Sequence, residues 1–306
     1  MGRPNGSPRS VGVIIPAFNH EQYIEQAVRS VLDQTYRNVE LLVIDDASTD
    51  QTARIVEGLA RWHEFRFVRN EQNLGLNRTL EKGIQLSESA YLSILASDDW
   101  IVPTKIEEQI ELMTEDRLDA IYGTGWSVED GEARFIDLGD LEEEFADGTI
   151  LNRLYTDGSH APLLQSALIR REPLVELIGE RRRFKSDDWV TLIRLVERYK
   201  VGFRNKPWFY YRQHDANTYR NYWGTLPIKT EVISLVSPEQ FRAAGMANIL
   251  RVQAQFLYMD RKRGLATKFL LASMMLSPSP LGWIRLVARL SRKIARRIFR
   301  KLAGPA

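Results

Sequence analysis

Three pairs of adjacent acids stand out in the chain: Asp45-Asp46, Asp98-Asp99 and Asp187-Asp188. Neighbouring carboxylates repel, so Asp98-Asp99 invites a cation or sugar hydroxyls, and a carboxylate of Asp187-Asp188 could work as a base if desolvated. Hard oxygen ligands of this kind suit Mg²⁺ or Mn²⁺. The plainer reading of Asp45-Asp46 and Asp187-Asp188 is a helix cap, because Asp accepts hydrogen bonds from the free amides of a first helical turn, and that of Asp98-Asp99 is a solvated turn before a helix. Ser48 or Asp50 alone could cap after the first pair, and Pro103 is well placed early in a helix after the second. The chain has no cysteine, which excludes thiolate metal sites, iron–sulfur clusters and cysteine nucleophiles. Its four histidines form no HExxH and no clustered pair. Of these, His214 in Tyr211-Arg212-Gln213-His214 is singled out, and the others read as structural. Neither a GxGxxG nor a Walker loop is present, which argues against a dinucleotide site and a P-loop ATPase.

The elements that must position these acids alternate. Val11–Ile15 is a short apolar run ended by Pro16, and Leu41–Ile44 is a second, leading straight into Asp45. Between them Ile24, Ala27, Val28, Val31 and Leu32 follow helical spacing. A helix with Ala53, Val56, Leu59 and Ala60 comes next, then a weaker strand at Arg66–Val68, helical composition over Gly75–Leu86, and a strand at Tyr91–Leu95 ending in Ser97-Asp98-Asp99. A helix is expected over Pro103–Met113. Such alternation predicts a parallel sheet with helices on both faces, and ligands in such sheets bind beyond the carboxyl ends of the strands. Past residue 115 the pattern is irregular, with an acidic stretch at Asp137–Asp147, a strand expected over Gln165–Arg170 and a helix over residues 238–260.

Five segments in order resemble glycosyltransferase family 2: Val11-Gly-Val-Ile-Ile-Pro-Ala-Phe-Asn19, Ile24 through Ser30-Val-Leu-Asp-Gln34, Val39-Glu-Leu-Leu-Val-Ile-Asp-Asp-Ala-Ser-Thr-Asp50, Asn73-Leu-Gly75 and Ser97-Asp-Asp99. The resemblance covers roughly residues 11–215. It implies an α/β GT-A (nucleotide-diphospho-sugar transferase) fold, a Rossmann-like, mostly parallel sheet flanked by helices. It also implies transfer from a nucleoside-diphosphate sugar, UDP-linked, with inversion at the anomeric carbon. By motif, Pro16, Ala17 and Asn19 would line the base and ribose pocket, and Asp46 would accept from the base N–H. Arg78 would lie near the base or phosphates, and Asp98 would touch ribose or sugar hydroxyls. Asp99 would hold a divalent cation, Mn²⁺ or Mg²⁺, that stabilises the leaving diphosphate; many members carry a further Asp where this chain has Ala96. Asp187-Asp188-Trp189 resembles the segment that supplies the catalytic base, nominated here as Asp188. Tyr211-Arg212-Gln213-His214 resembles a later segment whose His or Arg reaches the metal or diphosphate, which nominates His214 as a metal ligand. A catalytically inert sugar-nucleotide-binding or scaffold protein is the rival reading.

Composition adds one asymmetry. The 306 residues carry a formal charge of only +2, yet residues 261–306 hold twelve Lys and Arg and no acid, leaving 30 basic against 40 acidic residues in 1–260. Residues 1–10 read as disordered, 11–225 as the GT-A domain, and 226–306 as a helical C-terminal region. Within the last, Val287, Leu290, Ile294, Ile298 and Leu302 share one face of a basic amphipathic helix over 283–302. Such a helix lies in the headgroup region of an anionic membrane or packs on an acidic body. No transmembrane run or secretory signal pattern is seen, so the expected place is the cytoplasm, peripheral on the inner face of the membrane, with a saccharide or polyprenyl-linked acceptor and no nucleic-acid partner. In a flotation assay the full chain should rise with anionic vesicles and a chain ending at residue 260 should not; equal flotation would exclude the membrane reading.

Overall fold

The computed structural model describes residues 9–139, 141–156, 161–181, 187–214, 222–259 and 261–276. The segment 283–302 lies outside them. Two compact units are present, Met1–Ser237 and Pro238–Ala306.

The first unit opens with β1 (Val11–Ala17), every residue of which is buried. A run with no polar alternation fits a strand covered on both faces. α1 (Ile24–Leu32) buries Ile24, Ala27, Val28 and Val31, the stripe expected from their spacing. β2 (Val39–Asp45), α2 (Thr52–Trp62), β3 (Arg66–Arg69), α3 (Leu76–Leu86) and β4 (Tyr91–Ile94) continue the alternation. β1 pairs in parallel with β2 and β4, and β2 with β3. Asp45 and the Ser97-Asp98-Asp99 turn therefore arrive at one edge of the sheet.

The second half of this unit holds β5 (Trp100–Ile101), α4 (Lys105–Glu115), β6 (Ala120–Glu129), β7 (Glu132–Phe135), α5 (Leu141–Asp147), α6 (Ile150–Leu154), β8 (Leu168–Arg170), α7 (Arg171–Arg181), α8 (Asp187–Arg198), β9 (Val201–Arg212) and α9 (Tyr222–Leu235). Among the described residues the sheet runs β3-β2-β1-β4-β8-β6-β9-β5, with β7 against β6. Its long pairings, including β6 with β9, are parallel. The strand expected over Gln165–Arg170 is only its last three residues, because Leu164–Ser166 forms a 3-10 turn.

β6 and β9 carry no simple sequence signal. Glycines and Pro207 interrupt them, and these residue types are poor strand formers. Tertiary packing makes the glycines necessary: a Cβ at Gly123 would lie 2.4 Å from the Trp208 ring, and one at Gly125 2.5 Å from the Phe209 ring.

The second unit contains α10 (Glu239–Met259) and α11 (Arg263–Leu276). The Ser273 hydroxyl donates to the Ala247 carbonyl at 2.8 Å, and Ala247, Leu257 and Ala266 are buried. No helix among the described residues is long and apolar enough to cross a membrane.

One core group is unusual. Lys105 is fully buried, and its Nζ donates to Ser93 Oγ at 2.8 Å and the Ala167 carbonyl at 3.1 Å. Burial pulls its pKa down to about 7. Between about pH 7 and the ordinary lysine range the unfolded chain binds a proton there that the folded chain does not, so this group adds stability as pH rises, by about 1.4 kcal/mol per pH unit. Thermal melts of wild type and Lys105→Met should therefore differ in slope over pH 7–9, the wild type gaining stability relative to the variant; parallel profiles would show that the ammonium is not desolvated.

Candidate active site

The site is built where β1, β2 and β4 end. Asn19 follows β1 with φ of 53°, a left-handed conformation that Asn tolerates better than most residues. Its N–H donates to Ser48 Oγ at 3.0 Å, and its Oδ1 accepts from the Thr49 N–H at 2.8 Å. Ser48 in turn donates its N–H to Asp45 Oδ2 at 3.0 Å. This stitches the turn after β1 to the turn after β2. Asp45 is buried and pairs with Arg69 at 3.3 Å, while its Oδ1 has no hydrogen-bond partner among the described residues.

Asp46, nominated for the base, holds a neighbouring turn. Its Oδ1 accepts from Asn70 Nδ2 and the Leu74 N–H, both at 2.8 Å, and its Oδ2 from the Gly75 N–H at 2.9 Å. Gly75 has φ of 82°, which only glycine adopts without strain. The Asn73-Leu74-Gly75 segment is thus placed by Asp46, and it starts α3, on whose first turn Arg78 is exposed. Pro16 and Ala17 are buried backbone at the end of β1.

The Asp98-Asp99 pair is split between two environments. Asp99 is 1% exposed; its Oδ1 accepts from the Arg212 N–H at 2.8 Å and its Oδ2 from Gln165 Nε2 at 2.9 Å. Burial and the adjoining Asp98 carboxylate push its pKa well above the usual Asp range. Asp98 instead faces the histidines. His214 Nε2 lies 2.9 Å from Asp98 Oδ2, and His20 Nδ1 lies 4.0 Å from Asp98 Oδ1. Of the two acids, Asp98 is the one that meets His214.

His20 reads as structural from its isolation in sequence, and the structure sets it beside Ser97 and Asp98. Its N–H donates to Thr52 Oγ1 at 2.8 Å, and its ring nitrogen is 2.7 Å from Ser97 Oγ. Burial lowers its pKa, and the Asp98 charge opposes that shift. His20, Asp98 and His214 each offer one atom within 4.8 Å of the others, and a two-imidazole, one-carboxylate set fits a divalent metal. The only sequence signal for His20 was its place directly after Asn19, at the end of β1.

Arg212 fixes this arrangement. Its Nε donates to the Asp98 carbonyl at 3.0 Å, and its guanidinium sits 4.9 Å from the Tyr23 ring and 4.6 Å from the Trp100 ring. Tyr23 also stacks on His214 with 5.0 Å between centroids. Asp188 is the second residue of α8 and half-buried, followed by Trp189, whose Nε1 donates to the Leu154 carbonyl at 2.9 Å.

The sequence pattern described as Glycosyl transferase family 2 matches residues 12–178, more than half of the chain. The chain belongs to this family. It is 28% identical over 221 residues to the glycosyltransferase GlyG of Streptococcus pneumoniae serotype 4, covering 69% of this chain and 73% of that one. It is 37% identical over 119 residues to TuaG of Bacillus subtilis, whose name assigns it to teichuronic acid biosynthesis, covering 39% of this chain and 47% of that one. Staphylococcus aureus TarS 1–349 in complex with UDP-GlcNAc superposes with a TM-score of 0.59 at 17% identity, over 87% of this chain and 81% of that one. The mannosyltransferase PcManGT from Pyrobaculum calidifontis, in complex with GDP-Man and Mn²⁺, superposes with a TM-score of 0.62 at 16% identity, over 98% of this chain and 84% of that one. At these identities the likeness is one of fold, and that fold is GT-A. This family-2 glycosyltransferase has four histidines, few enough to follow one by one. In Asp98→Asn the His20 ring should titrate at a lower pH than in wild type, because the charge opposing its desolvation is gone. Histidine-detected NMR reads this, and an unchanged or raised value would refute the pairing.

Proposed function

We propose that the protein transfers a sugar from a nucleoside-diphosphate sugar, UDP-linked, to a hydroxyl of a saccharide or lipid-linked acceptor, with inversion, in surface polysaccharide or glycolipid assembly. The observation that carries this is the convergence of His20, Asp98 and His214 at the sheet edge where the 45–50 and 73–75 turns also meet. TarS and PcManGT, bound to UDP-GlcNAc and to GDP-Man with Mn²⁺, support a nucleotide-sugar donor and a cation. TuaG supports an envelope polysaccharide as the setting. The basic stretch 261–306 supports a peripheral position on the inner face of a membrane.

In this reading Pro16, Ala17, Asn19 and Arg78 surround the nucleoside. Asp46 acts there by fixing the 73–75 turn, and one carboxylate lone pair is left that would accept from the base N–H. Asp98, His214 and His20 would hold a Mn²⁺ or Mg²⁺ ion, with Asp99 anchoring the turn behind them. Bound there, the cation would supply charge neutralisation to the departing diphosphate. Asp188 takes the proton from the acceptor hydroxyl as its oxygen attacks the anomeric carbon opposite the diphosphate. One displacement with one base gives inversion.

A thermal-shift screen of UDP- and GDP-sugars with Mn²⁺ tests the donor assignment, since a ligand at a hundred times its Kd stabilises the folded state by about 2.7 kcal/mol. Asp188→Asn should keep that shift while transfer falls by about 10²–10⁴-fold, the range for loss of a general base. Retained transfer would remove Asp188 from the mechanism, and the shift without transfer in wild type would favour an inert binding protein.

A further inference from the structure

Two polar side chains of α4 are buried where apolar ones would cost less. Lys105 and Gln109 are both fully buried, and their spacing puts them on one face of the helix. Burying an ammonium or an amide is unfavourable unless its groups are paired, and Gln109 Oε1 has no partner among the described residues. What both side chains do is reach the short segment before β8. Lys105 Nζ and Ser93 Oγ donate to the Ala167 carbonyl, at 3.1 and 2.9 Å. Gln109 Nε2 donates to the Ser166 carbonyl at 2.7 Å.

The backbone explains why these two carbonyls take side-chain donors. β8 pairs with β4 and β6 only from Leu168 onward, so the residues before it have no ladder partner there. The 3-10 turn at Leu164–Ser166 uses its own amides: the Ser166 and Ala167 N–H groups donate to the Leu163 and Leu164 carbonyls at 3.0 and 2.9 Å. That leaves the Ser166 and Ala167 carbonyls, and a buried carbonyl needs a donor. The start of α4 is itself fixed, since Gln34 Oε1 accepts from the Ile106 N–H at 3.2 Å and Gln34 Nε2 donates to the Val102 carbonyl at 2.8 Å. The residue this clamped turn presents is Gln165, whose Nε2 donates to Asp99 Oδ2 at 2.9 Å while the Arg212 N–H holds Oδ1 at 2.8 Å.

We propose that Lys105 and Gln109 are positioning residues of the active edge. They hold the turn from which Gln165 grips Asp99, and so keep Asp99 inward and Asp98 against His214. Both lie behind the site and act through Gln165. This role rests on the metal reading of His20, Asp98 and His214 above.

Side-chain amide NMR and Mn²⁺ binding, both on the full chain, test it together. The Gln165 NH₂ resonance, assigned by its absence in Gln165→Met, should shift or broaden in Lys105→Met and in Gln109→Met. Mn²⁺ alone, with the free ion read by electron paramagnetic resonance, should bind about tenfold more weakly to each of the three variants, the low end of the range for groups that orient metal ligands. Lys105→Met combined with Gln165→Met should bind no more weakly than Gln165→Met alone, because both remove one contact, whereas two unrelated losses would add. Melting curves report folding. Where Lys105→Met or Gln109→Met does not fold, Ser93→Ala removes one hydroxyl of the same network and should move the Gln165 resonance in its place. An unmoved Gln165 resonance in a folded variant, or additive losses of Mn²⁺ affinity, would overturn the positioning role. Failure of the wild type to bind Mn²⁺ would instead overturn the metal reading, and the Gln165 resonance would still decide whether α4 holds the turn.

Discussion

Two like charges on neighbouring residues at the end of a buried strand must be held apart, and the active edge is organised around how this chain does so. Asp99 turns inward, where burial raises its pKa and an amide N–H and a glutamine side chain engage its oxygens. Asp98 turns outward to two histidines. Arg212 joins the two halves, donating its backbone N–H to one acid and its guanidinium to the carbonyl of the other. Because Arg212 lies at the end of β9, the pairing of β9 with β6 sets where His214 falls.

The second constraint is the strap of side chains between the turns after β1 and β2. Asn19 and Ala47 both have positive φ, at 53° and 59°. For alanine this conformation costs about 1–2 kcal/mol, and it persists because Asn19 donates its N–H to Ser48 Oγ and accepts from the Thr49 N–H, which fixes both turns. Strain at a ligand-facing edge is the usual place for it in a folded enzyme. The same strap directs His20 toward Ser97 and Asp98.

The first half of the sheet was legible because its signals are local. Apolar runs at Val11–Ile15 and Leu41–Ile44 and the helical stripes after them each stay within one element, and the acids sit at the strand ends where the periodicity breaks. β6 and β9 were not legible, since glycines and Pro207 depress their strand propensity and the reason for the glycines is the Trp208 and Phe209 rings from another strand. Lys105 gave no hint of burial either: it opens a helix whose first turn also holds Glu107 and Glu108, and its partners Ser93 and Ala167 are distant in sequence.

By itself the sequence determined the family, the GT-A alternation of its first half, and the three acid pairs, because each is encoded in contiguous residues. Only the tertiary structure decided which acid of a pair faces inward, and that His20 joins His214 across 194 positions of chain through Asp98. Those outcomes depend on strand order and register, which bring distant residues within a few ångströms and which no local pattern specifies.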